Sequence, residues 1–261
     1  MHRLTGFRPQ DLLNVMVVGV GGTGSQLISV LVQLHQALLQ LGGAGLNVQA
    51  FDPGVVSLSN TVRQRYAASD IGASKAITLI TRVNYSVGTS WQAHPRILTA
   101  ADLTREVHVL FSCVDTRQAR REIAGLLRSA RVHYWIDCGN EAHTGQVLLG
   151  QPGCRLSRSR AQPRLKTPAE THRKHLGGND DDVASCSALE SLGRQDLLVN
   201  TRVATEAADL LWQLLRYGQT RRVGSYLNLK DGLTVAVPAP VPHPDRRFRS
   251  AQPPALIRDP A

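Results

Sequence analysis

A chain of 261 residues is long enough to bury the core of one large domain or two small ones. Hydrophobic residues make up 42%, yet no apolar run reaches the ~18 residues of a membrane-spanning helix, so a soluble chain is expected. With 30 Lys and Arg against 20 Asp and Glu the net charge is +10, which favours nucleotides, nucleic acid or acidic proteins as partners.

The four cysteines, at 113, 138, 154 and 186, form no Cys-x-x-Cys pair. Neither a disulfide framework nor a structural zinc site is expected, and a reducing cytoplasm fits best. The opening Met1-His2-Arg3-Leu4-Thr5-Gly6 has no apolar stretch of the kind a secretion signal carries.

Residues 1–14 show no usable periodicity. A strand is expected over about Val15–Val20, followed by a tight turn and a helix starting near Gly24. Gly19-x-Gly21-x-x-Gly24, with Gly22 inside it, has the spacing of a dinucleotide-binding turn. Glycines let the backbone reach positive φ and let a phosphate approach the main chain at a helix N-terminus. Leu27, Ile28, Leu31, Leu34, Leu38 and Leu41 recur at helical steps, and Gly42-Gly43-Ala44-Gly45 stops that helix. Leu46–Phe51 then alternates as a strand and delivers Asp52 at its carboxyl end. Two readings of Asp52 stand: an anchor for a ribose hydroxyl, and the first residue of an Asp-Pro turn.

Asn60, Arg63 and Lys75 place an amide and two cations shortly after this strand. Arginine suits polyphosphate through its fork and lysine as a point charge. The run Ser59-Asn60-x-x-Arg63-Gln64 followed by Gly72-x-x-Lys75, after the glycine turn and the acidic strand end, closely resembles the ThiF/MoeB/HesA family, prokaryotic relatives of ubiquitin-activating E1 enzymes. Gly54 departs from that pattern, where many members carry a second aspartate.

Lys75 opens a helix to about Tyr85, and Trp91–Leu98 reads as a strand interrupted by Pro95, hence at a sheet edge. The apolar run Val107–Val114 reads as a strand buried on both faces and ends in Asp115. A carboxylate there can hold Mg²⁺ or cap the helix that follows. In the resembling family the Asp of Cys-x-Asp-Asn holds Mg²⁺ on ATP and an Arg follows five residues later. Cys113-Val114-Asp115 and Arg120 match, with Thr116 in place of Asn. Val132–Asn140 and Thr144–Gly150 complete a βαβαβαββ order, which is an α/β doubly wound, Rossmann-like sheet.

Residues 1–150 are thus expected to form a Rossmann-like ATP-binding domain. Residues 151–185 read as a flexible basic crossover loop, and 186–240 as a helix (Gln195–Tyr217) and a hairpin with an Asp231-Gly232 turn that complete the same domain. The Pro- and Arg-rich residues 241–261 read as a disordered tail. The resemblance implies that Cys186, before the last helix, can take an activated acyl group as a thioester; the plain alternative is a small packing residue. A narrower likeness, to the ThiF-family protein of the PRTRC gene cluster, rests on Ser185-Cys186-Ser187 and on Gln195–Asn200.

What the resemblance implies is an E1-like adenylyltransferase. ATP and Mg²⁺ would be bound by Gly19, Gly21, Gly22, Gly24, Asp52, Asn60, Arg63, Lys75 and Asp115. The C-terminal carboxylate of a small ubiquitin-like β-grasp protein would be activated in a homodimeric enzyme. The N-terminal Arg-Tyr-x-Arg-Gln segment of homodimeric members is missing; only Arg3 and Arg8 are available. A non-catalytic module, binding a β-grasp protein or nucleic acid through its basic loops, is one alternative. An NAD-dependent oxidoreductase is another, although Asn60, Arg63 and Lys75 have no task there.

Overall fold

The computed structural model describes residues 1–153, 162–171 and 195–240. Cys154, Cys186 and the 241–261 stretch lie outside these residues. Ten strands, six α-helices and two short 3-10 helices (Ala68–Asp70 and Ala100–Thr104) occur among the described residues. The strands are β1 (His2–Arg3), β2 (Leu13–Val18), β3 (Leu46–Phe51), β4 (Gln92–His94), β5 (Val107–Ser112), β6 (Val132–Asn140), β7 (Thr144–Gly150), β8 (Gln219–Thr220), β9 (Arg222–Asn228) and β10 (Leu233–Pro238). The helices are α1 (Gly22–Gln40), α2 (Asn60–Arg63), α3 (Lys75–Val87), α4 (Arg117–Leu126), α5 (Pro168–Thr171) and α6 (Val199–Tyr217).

Eight strands form one sheet in the order β10-β9-β7-β6-β5-β2-β3-β4, and β1 pairs with β8 apart from it. From β4 to β6 every pairing is parallel; from β6 to β10 every pairing is antiparallel. Alternation within the strands explains the layers. Val15 and Val17 face a core built with α1, α3 and α6, while Met16 and Val18 face the opposite side, covered by α4. Both faces of the parallel half are therefore dry, as its unbroken apolar runs require.

The doubly wound expectation is what the sheet shows, with shifts at the element ends. The first strand runs Leu13–Val18, because Gly19 at φ +85° turns the chain out of the sheet. The edge strand shrinks to Gln92–His94, ahead of Pro95, and does lie at the sheet margin. The last helix begins at Val199, four residues after Gln195, because residues 196–198 form a turn in which Asp196 accepts the Leu198 amide at 3.0 Å. The lead-in, unreadable by period, is tied down by β1 and by Leu4 N donating to Gly218 O at 2.8 Å. Within the stretch read as crossover loop, residues 162–171 rest on the sheet. Leu165 is buried, and its backbone exchanges hydrogen bonds with Gln151.

Candidate functional site

At the carboxyl ends of β2, β3 and β5 the chain leaves a cleft of about 330 Å³. Its first wall is the glycine turn between β2 and α1. Gly19 needs positive φ, and a Cβ there would stand 2.7 Å from the Cys113 carbonyl oxygen. A Cβ at Gly24 would lie 1.9 Å from the Gly19 carbonyl oxygen, so only glycine lets α1 follow the turn this closely. A Cβ at Gly22 would strike the Asn200 amide at 2.5 Å, whereas one at Gly21 would meet nothing within 4 Å. The turn is packed behind and open in front. No side chain caps α1, so its first amides and the positive end of its dipole are presented to the cleft.

Asp52 holds the turn that its second reading expects. Its carboxylate accepts the Val20 and Gly54 amides, each at 2.7 Å, and so closes both the glycine turn and the Asp-Pro turn. It also lines the cleft. Gly54 has a local reason: a Cβ would sit 2.9 Å from Asp52 Oδ1 and 3.5 Å from the Lys75 stem. Lys75 opens α3, which Ser74 caps, and its side chain reaches the same cleft. The buried Tyr66 hydroxyl donates to Val20 O at 2.7 Å, with Lys75 O also in reach at 3.3 Å. It ties the glycine turn to the start of α3, and burial raises its phenol pKa, keeping the proton that makes the bond.

Asp115 is exposed to the cleft floor just beyond β5. The cap of α4 is Thr116, whose hydroxyl accepts the Ala119 amide at 3.1 Å. Thr116 therefore takes the cap and leaves the Asp115 carboxylate to the cleft. Surrounding protein raises the Asp115 pKa, the Lys75 and Arg120 charges pull it back, Asp52 raises it further, and Arg63 lowers it. These five groups share one electrostatic field.

Not every expected residue faces the cleft in the same way. Asn60 accepts the Ser57 amide at 2.9 Å and holds its own turn. Arg63, on α2, donates to the Gln195 side chain; burial lowers its pKa, and Asp115 opposes that. Arg120 binds the carbonyls of Val114 (3.0 Å) and Cys138 (3.2 Å) and lies 3.5 Å from buried Asp137, bracing the strand ends beneath Asp115. Cys113 and Cys138 are free and buried in neighbouring strands. The Cys113 thiol and burial together push the Cys138 thiol pKa well up, which suppresses its nucleophilicity.

Asn200 escaped sequence reasoning. It accepts from Thr23 (3.1 Å) and Asn140 (2.6 Å), docking α6 on the glycine turn. A polar residue on the apolar face of α6, at Val199–Val203, was the available signal. Among the described residues no group of three or more His, Cys, Asp or Glu is placed to hold a metal unaided. A cation at Asp115 would have to draw ligands from phosphate oxygens as well, which is how Mg²⁺ commonly binds.

The model of the ThiF family matches residues 10–220 of this chain. No curated protein matches its sequence. Among solved structures the chain is similar to E. coli MccB (TM-score 0.58, 14% identity, covering 88% of this chain and 63% of that one). MccB with ATP is equally similar (TM-score 0.58, 13% identity, 88% and 64%). PaaA, as its selenomethionine form, gives a TM-score of 0.56 at 14% identity, over 87% and 64%. The chain thus spans under two thirds of the length of these neighbours, and at such identity the likeness is one of fold.

Proposed function

This chain belongs to the ThiF family, and we propose that it is an E1-like adenylyltransferase that activates a carboxylate with ATP and Mg²⁺, releasing pyrophosphate. The observation that carries this is the convergence on one cleft of an open glycine turn, Lys75 and Asp115. A similar fold has been solved with ATP in E. coli MccB. In this reading the α1 amides and the Gly21 face cradle phosphate, as a helix N-terminus does. Lys75 neutralises phosphate charge that grows in the transition state, and Arg63 adds to that field from the side of Asp115. Asp52 meets the ribose, and the apolar end of the cleft takes the base. Mg²⁺, when bound, supplies charge neutralisation of the phosphates, and Asp115 is the residue that would hold it.

The proposed substrate is the C-terminal carboxylate of a small ubiquitin-like β-grasp protein, and the proposed enzyme a homodimer. MccB has been solved with MccA-N7isoASN, which supports a small protein or peptide as acyl donor here. Transfer from the adenylate to Cys186 is a further proposed step. A non-catalytic binding role is the second reading: Arg8, one of the two arginines near the N-terminus, is engaged in a surface pair with Asp11 at 2.8 Å. ATP–pyrophosphate exchange separates the two. Exchange that depends on a β-grasp partner and vanishes in Asp115→Ala is the expected result; ATP binding with no exchange across a panel of such partners would leave the binding module.

A further inference from the structure

The apolar end of the cleft has two walls. One is α4, through Ala119, Ile123 and Leu126. The other is the irregular segment after β4, which contributes Ile97 and Leu98. Leu98 is buried, but Ile97 is 64% exposed, an apolar side chain turned to an open slot. Irregular segments at a site need a reason to hold still, and here Asp102 supplies it. Its carboxylate accepts both ends of the Arg96 fork, at 2.6 and 2.8 Å, and also the Thr99 amide (2.9 Å) and hydroxyl (2.8 Å). Arg96 in turn donates to Ile97 O at 3.2 Å.

The same segment is bolted to the strand that carries Asp52. The His94 carbonyl accepts the Arg96 amide (2.8 Å) and the Asp52 amide (3.1 Å). The His94 ring stacks on Phe51 at 4.4 Å, and the Arg96 guanidinium sits 5.5 Å from the centroid of that Phe51 ring. Phe51 itself lines the cleft. A bidentate pair, a capped turn and a cation over an aromatic ring converge on the segment that bears Ile97.

We propose that the Arg96–Asp102 pair is a positioning device for the nucleotide base, holding Ile97 and Leu98 opposite α4 so that a flat aromatic ring is gripped between them. This rests on the ATP reading given above and adds to it a specificity element outside the phosphate-binding residues. An isolated ion pair on the surface contributes little; this one acts through the wall it fixes. Neither Arg96 nor Asp102 lines the cleft, so their effect falls on base affinity and not on phosphate affinity.

The test compares binding of Mg·ATP and of Mg·tripolyphosphate to the full chain by calorimetry, with the melting temperature of each variant recorded. Asp102→Ala should weaken ATP about tenfold, the scale of losing one apolar contact in a pocket, and leave tripolyphosphate unchanged. Ile97→Ala should do the same, and the double variant should lose no more than the larger single loss. Asp102→Asn, which keeps an oxygen for the Thr99 amide, should lose less than Asp102→Ala. Equal losses for both ligands, or additive losses in the double variant, would overturn the proposal and leave the ATP reading standing. A wild-type chain that binds ATP no better than tripolyphosphate also overturns it. A wild-type chain that binds neither removes the ATP reading and this proposal together.

Discussion

The two ends of the same parallel strands treat polar side chains in opposite ways. At the carboxyl ends of β2, β3 and β5, Lys75 and Asp115 face a cleft, and glycine replaces side chain wherever the turn needs room. At the amino ends the polar groups face one another. The Asn14 amide donates to His108 Nδ1 at 2.7 Å, His133 meets Glu106 at 2.6 Å, and the Tyr134 hydroxyl lies 3.0 Å from both His2 Nε2 and the Thr5 amide. Phe7 sets its edge against His108, His133 and Tyr134. One end keeps hydrogen-bonding capacity for something outside the chain; the other spends most of it inside, as buried polar groups tend to, with the buried His133 Nδ1 left without a partner. The carboxyl end also collects the positive end of the α1 dipole beside Lys75, which suits an anion.

The largest effect is expected at the glycine turn. Gly24→Ala places a Cβ 1.9 Å from the Gly19 carbonyl oxygen, and overpacking of this kind costs about 1–3 kcal/mol or more. The expected result is loss of ATP binding together with a lowered melting temperature. Asp115→Asn separates the two effects. Because folding raises the Asp115 pKa, the native state binds more protons there than the unfolded chain, and the charged carboxylate opposes folding at any pH above its unfolded value of about 3.8. At pH 7 the variant should therefore melt at or above the wild-type temperature while pyrophosphate exchange falls about 100-fold, the scale of removing one charge-stabilising group. A variant that lost both would show Asp115 to be a stabilising residue, as the polar groups of the amino end are. Lys75→Ala should weaken Mg·ATP about tenfold or more, since one charge-assisted phosphate contact is worth about 1.5–3 kcal/mol; ATP affinity unchanged by that substitution would remove Lys75 from the cleft chemistry.

Much of the carboxyl end was legible in the sequence because its demands are local. A positive-φ residue at Gly19, a strand ending in Asp52 and another ending at Asp115 each leave a mark within ten residues. The parallel half of the sheet was legible too, because strands with both faces covered read as unbroken apolar runs. The amino end was not, since its contacts join residues far apart in the chain: His2 and Tyr134 are 132 positions from each other. Asn200 and Tyr66 were missed for the same reason, each looking like an ordinary element residue until the glycine turn is brought against it. The competing readings of Asp115 turned on a detail no spacing shows, that the Thr116 hydroxyl takes the cap.

The amino end offers the smallest effect and the cleanest sign. Burial, aided by the positive N-terminus, lowers the His2 pKa from 6.5 to about 4. His108 is lowered as well, by burial and by His133, while Glu106 and Asp11 act against that. Between about pH 6.5 and 4 the unfolded chain binds a proton at His2 that the native chain refuses, so the unfolded state binds more protons and stability rises with pH. The contribution is whole above pH 6.5 and is lost as the pH falls toward 4, at up to about 1.4 kcal/mol per pH unit for one such group. Melting temperatures measured from pH 7 to pH 5 should therefore fall, and His2→Gln, which keeps a polar partner for the Tyr134 hydroxyl, should flatten that slope. An unchanged slope in His2→Gln would mean that β1 detaches before the proton arrives, and that the amino end is held by His108, Phe7 and Tyr134 without it.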